Sequence, residues 1–189
     1  ANTLLSLGLL ARSAKLPLTH CHAYLTHPSL LLRVAAAIAL AADHLTSDII
    51  AILIAAIAAT EQLQEHEEIR FNEGNLAGYA SLVLARGGTQ VRSQIVPALC
   101  DALKSVNAYQ SLDITRALLD LLVGENPTQL KDKPANELDP LERQALQAIA
   151  EYGGWKAGRS VFVNYCQLVG AYGLPDSAEA LRDYLTPPL

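Results

Sequence analysis

The densest group of side chains that could bind a metal lies between Leu18 and His27. His20, Cys21 and His22 are consecutive there. Donors on one helix face must be three or four residues apart, whereas His20 and His22 are two apart. A strand would align the two histidines, but the surrounding sequence favours helix. A zinc site uses three or four protein ligands, so others would have to come from elsewhere. His20, Cys21 and His22 are therefore open candidates, beside the simpler interpretation as surface or helix-end residues.

A second group of ionisable side chains lies between Glu61 and Glu73 and includes Glu65 and Glu68. The segment is either a solvated connection or an acidic patch that docks a basic partner, because summed like charge attracts its complement. Paired glutamates also serve acid–base and metal chemistry, but no second element of such a site accompanies them. We treat Glu65 and Glu68 as candidate contacts for a partner.

The sequence contains no motif that specifies a reaction. It lacks a phosphate-binding glycine loop, a G-x-S-x-G nucleophile elbow and a C-x-x-C pair. Its three cysteines, Cys21, Cys100 and Cys166, are far apart in apolar helical contexts. This pattern is typical of reduced thiols in a cytoplasmic protein, and the first residues do not form a signal peptide. We expect a non-catalytic protein without a cofactor.

The overall composition indicates the class of fold and excludes some partners. Hydrophobic residues make up 51% of the 189 residues, charged residues 17% and aromatic residues 5%. A helical protein rich in alanine and leucine fits these values better than a β-sandwich, whose strands favour β-branched and aromatic residues. The formal net charge of −5 disfavours binding to nucleic acid or to an anionic membrane. Every apolar run is shorter than the roughly 20 residues that a membrane-spanning helix needs.

The rest of the chain is organised around two apolar helices between Pro28 and Thr60. The first begins near Pro28 and ends before His44. Thr46 or Ser47 is the predicted cap of the second, because either side-chain oxygen can accept from free backbone N–H groups. Isoleucine and leucine recur in the second helix at the spacing of a helical stripe. Dense alanine on the other faces predicts burial by neighbouring helices on several sides.

The first of these helices resembles the first-helix signature of HEAT repeats. The matching residues are Leu32, Arg33, Ala36, Ala37, Ala39 and Leu40. Looser copies begin at Leu76 and Ile114, although the second copy has Ala77 where the signature has arginine. The spacings, 44 residues from Leu32 to Leu76 and 38 from Leu76 to Ile114, bracket the roughly 40 to 47 residues of HEAT and armadillo units.

This resemblance implies an all-α fold, a short α-solenoid of stacked antiparallel helix pairs that share one core. Residues 1–124 would form the repeats, with the helix at 76–84 paired with the helix at 90–105. Residues 125–138 have few apolar side chains and are the predicted linker. Asp139-Pro140-Leu141-Glu142 has the pattern of a helix start and opens a C-terminal helical cap over 139–189, packed on the same domain.

The HEAT resemblance also implies a function, that of a scaffold that binds a protein partner along the second helices. Candidate contacts on the helix at 90–105 are Arg92, Gln94, Asp101 and Lys104. The alternative is an enzyme or a handler of a small molecule or metal on the same scaffold, since some HEAT-like proteins resemble bilin lyases. Others act on damaged DNA, which would need a basic groove that this composition disfavours. The partner, the oligomeric state and the presence of further domains stay open.

Overall fold

A computed structural model of the chain describes residues 18–41, 44–59, 63, 76–124, 126 and 129–186. Over these residues the secondary structure is helical and contains no strand, which confirms the predicted all-α class. No helix among them is both long enough and apolar enough to cross a membrane. The chain divides into two compact units, Ala1–Leu84 and Ala85–Leu189.

The described part of the N-terminal unit includes one short 3-10 helix and three α-helices. They are the 3-10 helix Thr19–Tyr24, α1 Leu30–Leu40, α2 Ser47–Ala58 and α3 Leu76–Ala85. Every residue of α1 from Val34 to Leu40 is buried, because α1 packs against both α2 and the 3-10 helix. Thr46 caps α2 by accepting a hydrogen bond from the Ile49 N–H at 3.4 Å, one of the two predicted caps.

Five further α-helices lie among the described residues of the C-terminal unit. They are α4 Gly88–Leu103, α5 Ala108–Val123, α6 Pro140–Tyr152, α7 Arg159–Ala171 and α8 Ala178–Leu185. Helix α4 packs on α5 and α6, while α8 packs on α6 and α7 on α5. Helix α4 runs through Pro97 without dividing. Two 3-10 helices, Ala135–Glu137 and Gly154–Lys156, connect the α-helices.

The helix pairs differ in part from those predicted. The pair α1–α2 is the predicted one. The helix at 76–84, however, belongs to the N-terminal unit as part of α3, and the helix at 90–105 belongs to the C-terminal unit as α4. Within its unit α4 packs against α5. Helix α5 contains Ile114, where the third predicted copy begins, so the partner of this helix precedes it in the chain. The regular stacking direction of a solenoid stays a prediction.

The segment predicted as a linker, 125–138, lies inside the C-terminal unit. Helix α5 ends before Gly124, which adopts a φ of 55°. Beyond it, Leu130 is 1% exposed and Leu138 is also buried. Leu130 and Leu138 therefore contribute to the core. The low number of apolar residues in this segment had indicated a linker instead.

Tyr165 is the largest completely buried side chain of the C-terminal unit. Trp155 packs edge-on against it, with ring centroids 4.6 Å apart, and donates a hydrogen bond from Nε1 to the Ile149 carbonyl. Gly153 and Gly154 lie so close to the Tyr165 ring that a Cβ atom at either position would collide with it. The only tryptophan of the sequence, which is partly exposed, thus packs against a buried tyrosine.

Candidate functional site

The 3-10 helix Thr19–Tyr24 carries the candidate metal ligands but does not bring them together. Cys21 is buried, whereas His20 and His22 are exposed to solvent. Among the described residues no group of three or more His, Cys, Asp or Glu side chains is arranged to hold a metal ion. The geometry therefore gives no support to a metal centre built on His20, Cys21 and His22.

The three cysteines have the electrostatic environment of inert thiols. Cys21 and Cys100 are buried and Cys166 is partly exposed, and all three are free. Burial raises the pKa of the Cys21 thiol, and burial followed by the charge of Asp101 raises that of Cys100 to about 11. Burial and the charge of Asp176 raise the pKa of Cys166. A nucleophilic cysteine requires a lowered pKa, so the opposite shifts disfavour a cysteine nucleophile.

Two of the predicted partner contacts, Asp101 and Lys104, form an ion pair on the surface of α4. Lys104 Nζ lies 2.7 Å from Asp101 Oδ1, and the two side chains are 51% and 75% exposed. The hydrogen bond to Asp101 raises the pKa of the Lys104 ammonium. Tyr152 is the last residue of α6, the helix that packs on α4. Tyr152 is itself exposed. We call Asp101, Lys104 and Tyr152 the α4–α6 edge.

The predicted contacts nearer the start of α4 have different surroundings. Gln94 is exposed to solvent. The Arg92 side chain is only 14% exposed, and its Nη2 lies 3.1 Å from Asp139 Oδ2 and 3.9 Å from Glu142 Oε1. These are ion pairs by distance, although neither Nε nor Nη2 has the geometry of a hydrogen bond. Arg92 is thus engaged inside the unit, while Glu65 and Glu68 lie outside the described residues.

Glu142 is the centre of a buried charged cluster. Its side chain is completely buried and accepts two bonds from Lys133 Nζ, at 2.9 and 2.7 Å. It also accepts a bond from the Asp139 N–H at 2.8 Å, while the Asp139 side chain accepts from the N–H groups of Leu141 and Glu142. This reciprocal pair is the capping box that the sequence predicts. A buried carboxylate with this many partners is part of the framework of the unit.

A groove of about 450 Å³ opens beside this cluster. Its lining residues are Leu130, Asp132, Lys133, Pro134, Gly173, Leu174, Pro175 and Tyr184. Tyr184 donates a hydrogen bond to the Lys133 carbonyl at 2.5 Å, which holds one wall in place. The Lys133 ammonium is engaged by Glu142, so Asp132 offers the one carboxylate of this largely apolar lining. The groove can select a ligand by shape. Of its three ionisable side chains, Lys133 is engaged by Glu142 and Tyr184 by the Lys133 carbonyl.

Two apolar side chains of α7 face solvent, and sequence reasoning missed them. Phe162 is 39% exposed and Val163 is 43% exposed. Val161 and Tyr165 lie four residues apart on α7, and both are buried. The helical spacing places Phe162 and Val163 outside the stripe that these two residues define, and that spacing was the signal available in the sequence.

Comparison of the chain with protein-family models, with curated proteins and with solved structures finds no match. The HEAT resemblance therefore stays a prediction, carried by the residues around α1.

Proposed function

We propose that the protein is a cytoplasmic, non-catalytic scaffold that binds another protein through HEAT-like helical repeats. The observation that carries this proposal is the α4–α6 edge, where two packed helices carry an exposed ion pair and an exposed tyrosine. Tyrosine supplies a large contact area at low entropic cost and is enriched where proteins bind each other. The helix pairs α1–α2 and α4–α5 are compatible with repeats. Three free cysteines are typical of a reducing compartment.

The buried polar groups support a binding role over a catalytic one. Glu142 is paired with Lys133, and the Tyr165 hydroxyl with Thr115. Burial raises the pKa of Tyr165 well above its usual range. Glu142 and Tyr165 are also completely buried, whereas a general acid or base must come within hydrogen-bond reach of its substrate.

The proposal is tested by affinity capture from an extract of the native cells with quantitative mass spectrometry. We expect one protein to be retained by the wild type and by Gln147→Ala, which alters an exposed position elsewhere on α6. The same protein should be lost with Tyr152→Ala and with Lys104→Glu. Retention of an identical set of proteins by all four chains would contradict the proposal.

A handler of a small molecule is the second candidate, and the groove beside Lys133 is the observation that favours it. Pockets for small ligands commonly have volumes of about 300 to 1,000 Å³ and mostly apolar linings. The purified protein would then carry a ligand visible in native mass spectrometry or in its absorption spectrum. Leu174→Arg, which fills the groove, should remove that ligand, and a protein that carries none would exclude this candidate.

A further inference from the structure

The groove beside Lys133 holds one carboxylate that forms no ion pair with any described residue. Asp132 is exposed and belongs to none of the ion pairs among those residues. The Lys133 ammonium, the only cation of the lining, is already bound by the buried Glu142. Lys131 precedes Asp132 in the chain but does not line the groove. The charge that a ligand in this groove would meet is therefore negative.

The backbone at Asp132 adopts a conformation that glycine favours. Its φ is 57°, and among the described residues it is the only one other than glycine with a positive φ. It occupies the third position of a turn in which the Lys133 N–H donates to the Leu130 carbonyl at 3.3 Å. Glycine and asparagine are preferred at a third turn position with positive φ. The turn therefore does not require a carboxylate, and a less favoured residue in a special conformation is a reason to look for a ligand.

Two contacts hold this turn in place. Gly173 follows α7 with a φ of 74° and lies so close to Lys131 that a Cβ atom there would be 2.7 Å from the Lys131 Cβ. The Tyr184 hydroxyl of α8 donates a hydrogen bond to the Lys133 carbonyl at 2.5 Å. Asp132 lies between these two anchored residues in the chain. The groove is therefore preformed, and a ligand would not have to order its walls.

The chemistry of the lining favours an organic cation over a metal ion. A metal ion requires several donor atoms, and the described residues provide no group of three or more His, Cys, Asp or Glu side chains that could hold one. The lining instead combines one carboxylate with leucine and proline side chains and the aromatic Tyr184. Aromatic rings attract cations, and apolar linings bind hydrocarbon. An ammonium group on an apolar body matches both.

We propose that the groove binds a small organic amine, whose ammonium group pairs with Asp132 and whose apolar body lies on Leu174 and Pro175. The volume of about 450 Å³ accommodates such a molecule. This inference rests on the second candidate function, the handling of a small molecule, and adds the charge and chemical class of the ligand. It does not depend on the α4–α6 edge.

Three probes that share one apolar body separate the effect of charge from that of shape. They are 4-phenylbutylamine, 4-phenylbutan-1-ol and 4-phenylbutyrate, which are cationic, neutral and anionic at neutral pH. NMR titration of the isotope-labelled protein measures the affinity of each probe, and the amide signals of the lining residues locate it. We expect the amine to bind roughly threefold more tightly than the alcohol, because an exposed ion pair contributes modestly, and the acid to bind most weakly. Added salt should narrow this difference, because it screens the ion pair.

Substitution of Asp132 tests its role directly. Asp132→Asn removes the charge and keeps a residue suited to the turn, so it should bind the amine and the alcohol about equally, with the affinity for the alcohol unchanged. Asp132→Gly should behave in the same way without loss of thermal stability, which separates a ligand role from a structural one. Asp183→Asn is the matched control, because Asp183 is exposed and adjacent to Tyr184 but does not line the groove. It should keep the wild-type preference for the amine.

Three results would overturn the inference. They are equal affinity of the wild type for the amine and the alcohol, no shift of the lining signals with any probe, and a preference for the amine that survives in Asp132→Asn. Binding of the alcohol or the acid in the groove without a preference for the amine would overturn only the charge of the ligand, and the second candidate function would stand. No binding of any probe, together with a native protein that carries no ligand in mass spectrometry, would remove both.

Discussion

The Tyr165 hydroxyl lies 2.6 Å from the Thr115 hydroxyl, and this hydrogen bond joins α7 to α5 inside the C-terminal unit. Both hydroxyl-bearing residues are fully buried. The two hydroxyl groups therefore pair with each other, without access to solvent.

Tyr165→Phe should lower the free energy of unfolding by about 1 to 3 kcal/mol, because it leaves the buried Thr115 hydroxyl unpaired. Urea denaturation followed by circular dichroism measures the change. The double variant Tyr165→Phe/Thr115→Val should lose little more than Tyr165→Phe alone, since Thr115→Val removes the group that had become unpaired. Strictly additive losses would show that the two hydroxyls are not coupled.

Gly153→Ala should also destabilise the protein, for a steric reason. The added Cβ would overlap the Tyr165 hydroxyl and approach the Ile149 carbonyl oxygen to 2.5 Å. Crowding of this kind in a packed core costs about 1 to 3 kcal/mol. Gly158→Ala is the matched control, because nothing lies within 4 Å of a Cβ atom there. Equal thermal midpoints for the two variants would contradict the close packing of Gly153 on Tyr165.

Glu142→Gln should lower the stability through the loss of the bonds from Lys133. Removing one partner of a fully buried ion pair costs roughly 3 to 5 kcal/mol. The Lys133 side chain is 20% exposed and can turn towards water, so we expect about 2 kcal/mol, below that range. Lys104→Gln breaks an exposed pair instead and should leave the urea midpoint unchanged. A Glu142→Gln variant as stable as the wild type would show that the cluster contributes nothing to folding.

Asp113 makes the stability depend on pH. Burial raises the pKa of its carboxyl, and the charge of Arg116 opposes this shift. A group whose pKa is raised by folding contributes stability that is present below the unfolded pKa and is lost as the pH rises through the folded value. Asp113→Asn cannot ionise and should therefore be more stable than the wild type at pH 7. The difference should shrink towards about pH 4, near the unfolded pKa of aspartate, when unfolding is measured in urea at both pH values.

The sequence predicted those features that depend on residues close together in the chain. The Asp139–Glu142 capping box and the Thr46 cap each join residues three apart, so their patterns can be read directly. The all-α class followed similarly from composition and helical spacing. The Tyr165–Thr115 bond joins residues 50 apart, and no local pattern indicates it.

The candidate site was less predictable, because it depends on how the helices pack. The exposed positions of Asp101 and Lys104 follow from their place at the end of α4. The Arg92 side chain is instead held by Asp139 and Glu142, which lie at the start of α6 and are distant in the sequence. Leu130 is buried although its neighbours are mostly polar, since one leucine in a turn can fill a gap between helices. The exposed position of Phe162 follows from the helical spacing of α7, which places it outside the buried stripe.

The double engagement of Glu142 has a consequence for the order of folding. Its bond to the Asp139 N–H is local and forms as soon as α6 begins, whereas its contacts with Lys133 and Arg92 require segments that are more distant in the chain. A nascent α6 would therefore already hold the negative charge that attracts those two cations. We expect α6 to acquire protection from hydrogen exchange before α4, so that the carboxylate that starts one helix also guides the arrival of the next.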